Sequence, residues 1–135
     1  MQLKDKFFTA AKAVAMSGNG VGTKGSKFRL GAVLVEKNSV ISVGHNSYKT
    51  HPIMASRTEW PFLHAEQHAI IRRGLDNCDN LNMYVVRVLK NNDMAVSYPC
   101  EVCRELISNI GIKNVFYINE LGEFAKWVTK NDKSN

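Results

Sequence analysis

Two short stretches hold most of the residues able to do chemistry: Leu63-His64-Ala65-Glu66 and Ser97-Tyr98-Pro99-Cys100-Glu101-Val102-Cys103. Cys100 and Cys103 stand three apart, so on a helix they share a face and both sulfurs can reach one ion. Each stretch follows or contains a proline (Pro61, Pro99), which disfavours helix in the residue before it and suits a helix entry. A helix N-terminus carries partial positive charge and free N–H groups, which lower the pKa of a thiol and favour the thiolate that zinc binds. Two thiolates and the neutral imidazole of His64 would leave Zn2+ formally uncharged, with a fourth tetrahedral position open to water. Zinc makes such a water acidic enough to supply hydroxide near neutral pH. Glu66 lies two residues beyond His64, on a different part of the helix surface, and need not bind the metal. A carboxylate beside that water is a proton shuttle.

Other metal readings fare less well. His68 follows His64 by four residues, but a zincin motif needs Glu directly after the first His, and Ala65 stands there. His68 is read as solvent-facing or as a neighbour of the ligands. The chain has three cysteines, an odd number that does not suit a disulfide framework. Cys78 sits in a polar Asp-Asn-Cys-Asp loop and is read as an incidental free thiol. Were Cys78 or His68 to close the zinc shell, the site would be structural and the protein a non-catalytic zinc-binding module.

The elements that must position these residues are legible from periodicity. Leu3, Phe7, Ala11 and Val14 recur at helical spacing and predict an amphipathic opening helix rather than a secretory signal, since Lys12 and Asp5 interrupt that pattern. Ser17 to Lys27 reads as a Gly- and Lys-rich loop. Phe28 to Glu36 is a central strand, Lys37-Asn38-Ser39 a turn, and Val40 to His45 the returning strand of a hairpin. Asn46 to Phe62 has no period, and a connection of that length is usually functional or disordered. Leu63 to Gly74 is a helix with Arg72 and Arg73 in its last turn. Leu81 to Leu89 is a third strand, Met94 to Tyr98 a brief extension, Cys100 to Ile110 a helix capped by Gly111, and Asn114 to Ile118 a fourth strand. For Phe124 to Thr129 a hairpin strand is preferred to a short helix, because Trp, Val and Thr favour strands. The order β-β-α-β-α-β-β predicts a mixed sheet with helices packed against it.

His-x-Glu followed by Pro-Cys-x-x-Cys resembles the cytidine/deoxycytidylate deaminase superfamily, and this pattern is the recognised mark of zinc nucleobase deaminases. The likeness extends to Arg29-Leu30-Gly31-Ala32-Val33-Leu34-Val35, to Gly44-His45-Asn46 and to Gly111-Ile112-Lys113-Asn114-Val115-Phe116-Tyr117, in order over roughly residues 28 to 118. It implies an α/β fold of three α/β/α layers around a mixed sheet of four to five strands, filling one zinc-dependent deaminase domain over residues 1–135. It implies Glu66 as general acid/base, Asn46 as a contact to the substrate sugar, and the Ala65 N–H as donor to the pyrimidine carbonyl. Backbone carbonyls near Ser97 or Pro99 would accept from the exocyclic amine. Ser97 stands where the family often has Thr, and the connection from the third strand to Pro99 is longer than in compact relatives. A terminal hairpin would favour the cytidine deaminase arrangement, whereas His64 as first ligand leans toward deoxycytidylate and tRNA adenosine deaminases. Oligomerisation, often with a neighbouring subunit completing the site, is also implied.

Composition sets the outer bounds. Hydrophobic residues are 44% and charged residues 22%, an ordinary globular balance without a membrane-length run. A cytoplasmic, non-membrane protein is expected. The net charge of +6 fits a polyanionic nucleotide or nucleic acid, and equally an ordinary solvated basic surface. Lys49, His51 and Arg57 are read as phosphate contacts, with an ordinary basic loop as the alternative. Phe62 is read as a wall for the base, and Tyr48 and Trp60 as weaker candidates for that place. The expected reaction is hydrolysis of a cytosine nucleotide, dCMP first, to the uracil nucleotide and ammonia. Its rivals are a base in single-stranded nucleic acid or tRNA, and a free nucleoside or another aminated heterocycle. The chain shows no RNA-binding module and no dense aromatic-basic stripe, which leaves nucleic acid the weaker choice.

Overall fold

A computed structural model describes residues 3–18, 28–47 and 63–129. Its elements run α1 (Leu3–Ser17), β1 (Arg29–Glu36), β2 (Ser39–His45), α2 (Ala65–Arg73), β3 (Asn82–Val88), β4 (Met94–Ala95), α3 (Glu101–Asn109), β5 (Asn114–Ile118) and β6 (Phe124–Val128). The sheet follows the order β2-β1-β3-β5-β6, and the two-residue β4 adds a sixth strand beside β3. Among the described residues only β3 and β5 pair in parallel, with α3 in the connection between them; β1–β2, β1–β3, β3–β4 and β5–β6 are antiparallel.

Alternation along β1 and β3 divides the apolar residues between two cores. Ala32, Leu34, Met83 and Val85 meet Ala65, Ala69 and Ile70 of α2 and Cys103 and Ile107 of α3. Val33, Val35, Tyr84 and Val86 meet Phe7, Phe8, Ala11 and Ala15 of α1. The result is the expected three-layer arrangement, and the burial of strands on both faces explains their near-continuous apolar runs. Two glycines set how closely the layers approach. A Cβ on Gly31 would collide with the backbone of Ala11 and Ala15, and one on Gly44 with the backbone of Ala65 and Ala69. Gly44 therefore allows the first turns of α2, which follow His64, to lie directly on the sheet.

The first hairpin turns through Lys37 (φ 49) and Asn38 (φ 69), the left-handed pair that matches the twist of a tight hairpin. The β1–β2 register slips between Leu34 and Val35, leaving Ile41 as the extra residue of a bulge. That bulge was not legible in the sequence, since it needs both strands to be counted. The C-terminal segment is the strand preferred over the helix, paired from Asn114↔Val128 to Ile118↔Phe124.

Cys78 departs from the polar-loop reading. It is fully buried in the core beneath α2 and α3, with its thiol 3.4 Å from the Gly74 carbonyl oxygen. The polar residues around it form the turn, while Cys78 itself faces inward as a small apolar side chain. Cys78→Ser is expected to cost about 1 kcal/mol of stability while leaving zinc content and turnover intact. Thermal unfolding alongside metal analysis checks this, and loss of zinc from the variant would restore Cys78 as a ligand. Among the described residues no helix is long and apolar enough to cross a membrane.

Candidate functional site

The site forms where the N-termini of α2 and α3 meet. His64 and Cys100 are the N-cap residues of these helices, both with extended backbone (φ −80, ψ 154 and φ −70, ψ 170). The fully buried Gln67 accepts the His64 backbone N–H at 2.9 Å, fixing the histidine at the helix entry. Cys103 lies one turn into α3 on its buried face. Ahead of Cys100, the Ser97 hydroxyl donates to the Val85 carbonyl and accepts from the Ile118 N–H, both at 2.8 Å. That residue ties the approach to the cysteines between β3 and β5.

The ligand atoms of His64, Cys100 and Cys103 all lie within 4.8 Å of one another, the metal-ligand group found among the described residues. The Cys103 and Cys100 sulfurs are 3.4 and 3.8 Å from His64 Nδ1. Tetrahedral zinc, with its usual Zn–S and Zn–N lengths, places such atoms about 3.6 Å apart. The donor set and its spacing therefore fit zinc, held by His64 through Nδ1 and by the two cysteines through sulfur.

The protonation states of the metal-free site follow from this crowding. The Cys100 thiol is lowered to about 4, chiefly because the Cys103 thiol donates to its sulfur; burial opposes this, and His64 assists. Cys103 is raised for the reciprocal reason, with burial adding to it. Burial works against the His64 imidazolium, but its bond to Cys100 and the charges of Glu66 and Cys100 raise it overall. Glu66, 3% exposed, is raised by burial, and His64 opposes that shift only in part. Its Oε1 is buried with no hydrogen-bond partner among the described residues.

A cavity of about 170 Å³ opens onto this group, bounded by Phe28, Glu66, Arg87, Ser97, Tyr98 and Cys100 among others. His64, Glu66, Cys100 and Ser97 all line this cavity. Ala65 is buried at the first position of α2, where an N–H has no intrahelical acceptor. Asn46 is buried behind the wall: its Oδ1 accepts from the Leu30 N–H at 2.9 Å and its Nδ2 donates to the Phe28 carbonyl at 3.2 Å. The Pro99 carbonyl accepts from Arg104 Nη1 at 2.9 Å. His68 turns elsewhere, its Nδ1 accepting the His45 backbone N–H at 3.1 Å, so it is half-buried against β2 rather than solvent-facing. Lys49, His51, Arg57 and Phe62, with Tyr48 and Trp60, lie outside the described residues.

Five wall residues escaped the reading of the sequence: Phe28, Leu30, Arg87, Val96 and Tyr98. Arg87 had a local signal, a lone charge between Val86 and Val88 on an apolar strand. Tyr98 adjoins the Pro-Cys pair and also bounds a neighbouring cavity of about 290 Å³ beside Tyr117 and Trp127.

The model of the cytidine and deoxycytidylate deaminase zinc-binding region matches residues 1–119. The chain belongs to this deaminase family. Its members are hydrolytic zinc enzymes, so zinc is the metal that this His/Cys/Cys group serves. The chain is similar to an uncharacterized deaminase in the luxG 3' region of Aliivibrio fischeri, at 28% identity over 134 residues, covering 93% of this chain and 79% of that protein. Among solved structures it resembles the cytidine deaminase of Burkholderia pseudomallei, with a TM-score of 0.66 and 19% identity over 95% of this chain and 93% of that one. It also resembles the dCMP deaminase of cyanophage S-TIM5, with a TM-score of 0.63 and 23% identity over 89% and 86% of the two chains. The phage enzyme is also known in complex with dCMP and dUMP. At these identities the two structures establish the deaminase fold.

Proposed function

We propose that this deaminase hydrolyses a cytosine mononucleotide, dCMP foremost, to the uracil nucleotide and ammonia, with Glu66 carrying the protons. The observation that carries the reading is Glu66 itself: a sealed carboxylate with one unpartnered oxygen, in one cavity with His64 and Cys100. Nothing structural uses that oxygen, and a buried acceptor without a partner is a cost that function explains. Zinc, when bound, supplies the Lewis acidity that makes water a nucleophile near neutral pH.

Glu66 takes a proton from the attacking water, gives it to the ring nitrogen beside the amine-bearing carbon, and assists ammonia as it leaves. Burial, which raises its pKa, suits a group that must hold and return a proton rather than stay ionised. The Ala65 N–H is assigned to the pyrimidine carbonyl, and carbonyls near Ser97 and Pro99 to the amine. Asn46 contacts the sugar on the family pattern and also fixes Phe28 and Leu30, which wall the cavity. Phe62 is assigned to the base, and Lys49, His51 and Arg57 to phosphate. A homo-oligomer is the expected assembly.

The net charge of +6 supports a nucleotide over an uncharged nucleoside. The antiparallel β6 favours the free nucleoside, because that hairpin fits the cytidine deaminase arrangement. Ammonia release from dCMP, CMP, deoxycytidine, cytidine, dCTP, guanine and short oligonucleotides separates these readings. The highest kcat/KM is expected with dCMP. No turnover of any mononucleotide would overturn the nucleotide reading, and a preference for deoxycytidine or cytidine would establish its rival.

A further inference from the structure

Arg87 is a cation on the cavity wall whose buried Nε no group among the described residues satisfies. Its backbone is held on both sides, opposite Leu30 of β1 and Ala95 of β4, so the side chain leaves a fixed point on the cavity wall. The guanidinium stacks on the Phe28 ring, 4.9 Å from its centroid. Stacking occupies the face of a guanidinium and leaves its N–H donors at the edge. Arg87 Nε is buried and has no acceptor among the described residues. Glu66, the carboxylate in the same cavity, is acted on by His64 and Cys100 and forms no ion pair with Arg87.

A buried cationic donor lacking an acceptor is unfavourable unless a ligand completes it. The planar fork fits an oxyanion through two parallel bonds, and phosphate is such a partner. The lining of one cavity thus carries both the Glu66 carboxylate with the ligand Cys100 and a guanidinium stacked on Phe28.

We infer that Arg87, held by Phe28, anchors the phosphate of the substrate and makes this deaminase prefer a nucleotide to its nucleoside. The identity of the ring rests on the cytosine-nucleotide reading above; the anion anchor rests on Arg87, Phe28 and the cavity they share with Glu66. The role is one of specificity, separate from the proton transfers.

The test uses zinc-loaded wild type, Arg87→Gln and Arg87→Lys with dCMP and deoxycytidine. In Arg87→Gln the ratio of kcat/KM for dCMP to that for deoxycytidine is expected to fall by about tenfold or more, with the loss carried by KM. Arg87→Lys keeps the charge but loses the fork, and is expected to fall between. An unaltered ratio in Arg87→Gln overturns the inference. Inorganic phosphate gives a readout that needs no glutamine variant: it is expected to compete with dCMP on the wild type, and absence of competition overturns the anchor. If the wild type turns over neither cytosine compound, the ring assignment alone has failed. The anchor is then judged by 31P NMR of inorganic phosphate, whose line the wild type is expected to broaden more than Arg87→Lys does; equal broadening overturns it.

Discussion

Glu66→Gln is expected to retain zinc and to lose turnover by roughly 10²–10⁴-fold, the range spanned by a positioned acid/base group. The upper part of that range is the expectation, because one carboxylate serves both the attacking water and the departing ammonia. The substitution is nearly isosteric, so it removes the proton carrier without opening a cavity. Its effect on stability runs the other way. Burial raises the Glu66 pKa in the metal-free protein, so the folded state holds a proton that the unfolded chain releases as pH rises. Above the ordinary glutamate range, ionising this residue therefore costs the folded state, and the glutamine variant avoids that cost. The metal-free variant should match wild type at acid pH and exceed it as pH rises toward neutrality. Metal analysis, ammonia release and thermal unfolding over that span check the three parts together. Full activity in a zinc-loaded variant would remove Glu66 from the mechanism.

What could be read from the chain depended on how locally each feature is encoded. Cys100 and Cys103 share a helix turn, and His64 and Glu66 lie within two residues, so their spacing alone carries the ligand chemistry. The strand alternation was local too: Val33 and Leu34, or Val85 and Val86, face opposite cores because side chains in a strand alternate. Cys78 is the free thiol expected, but its burial was not legible, because that depends on how the turn after α2 packs beneath α3, a contact between segments far apart in sequence. Asn46 shows the same limit. The family resemblance marked it for the substrate, but its bonds to Phe28 and Leu30 exist only once β2 lies beside β1. Arg87 was not singled out in the sequence, because its place against Phe28 exists only once β1 lies beside β3. The bulge at Ile41 needed the partner strand as well.

Cys103→Ala should lower zinc affinity by more than about 100-fold, beyond the effect of losing an outer hydrogen-bond partner, and reduce turnover to background. A hundredfold loss of affinity withdraws about 2.7 kcal/mol of linked stabilisation at saturating metal, which lowers Tm by roughly 10 °C in a chain of this size. Chelation of the wild type should bring its Tm down toward that of the variant. Proton release on metal binding distinguishes a ligand role from simple packing. In the metal-free site the Cys100 thiol is lowered to about 4 and is already ionised at neutral pH, while Cys103 is raised and holds its proton. Against the opposing effect of burial, the pKa of His64 is also raised, chiefly by its bond to Cys100. Zinc must displace the Cys103 proton and whatever His64 carries, so binding at pH 7 should release on the order of one to two protons. Removing Cys103 abolishes its share, whereas a buried cysteine that merely packs, as Cys78 does, would leave the count untouched. Calorimetry in buffers of different ionisation enthalpy measures that number. A Cys103→Ala protein that kept one zinc per chain and the wild-type proton count would remove Cys103 from the ligand set.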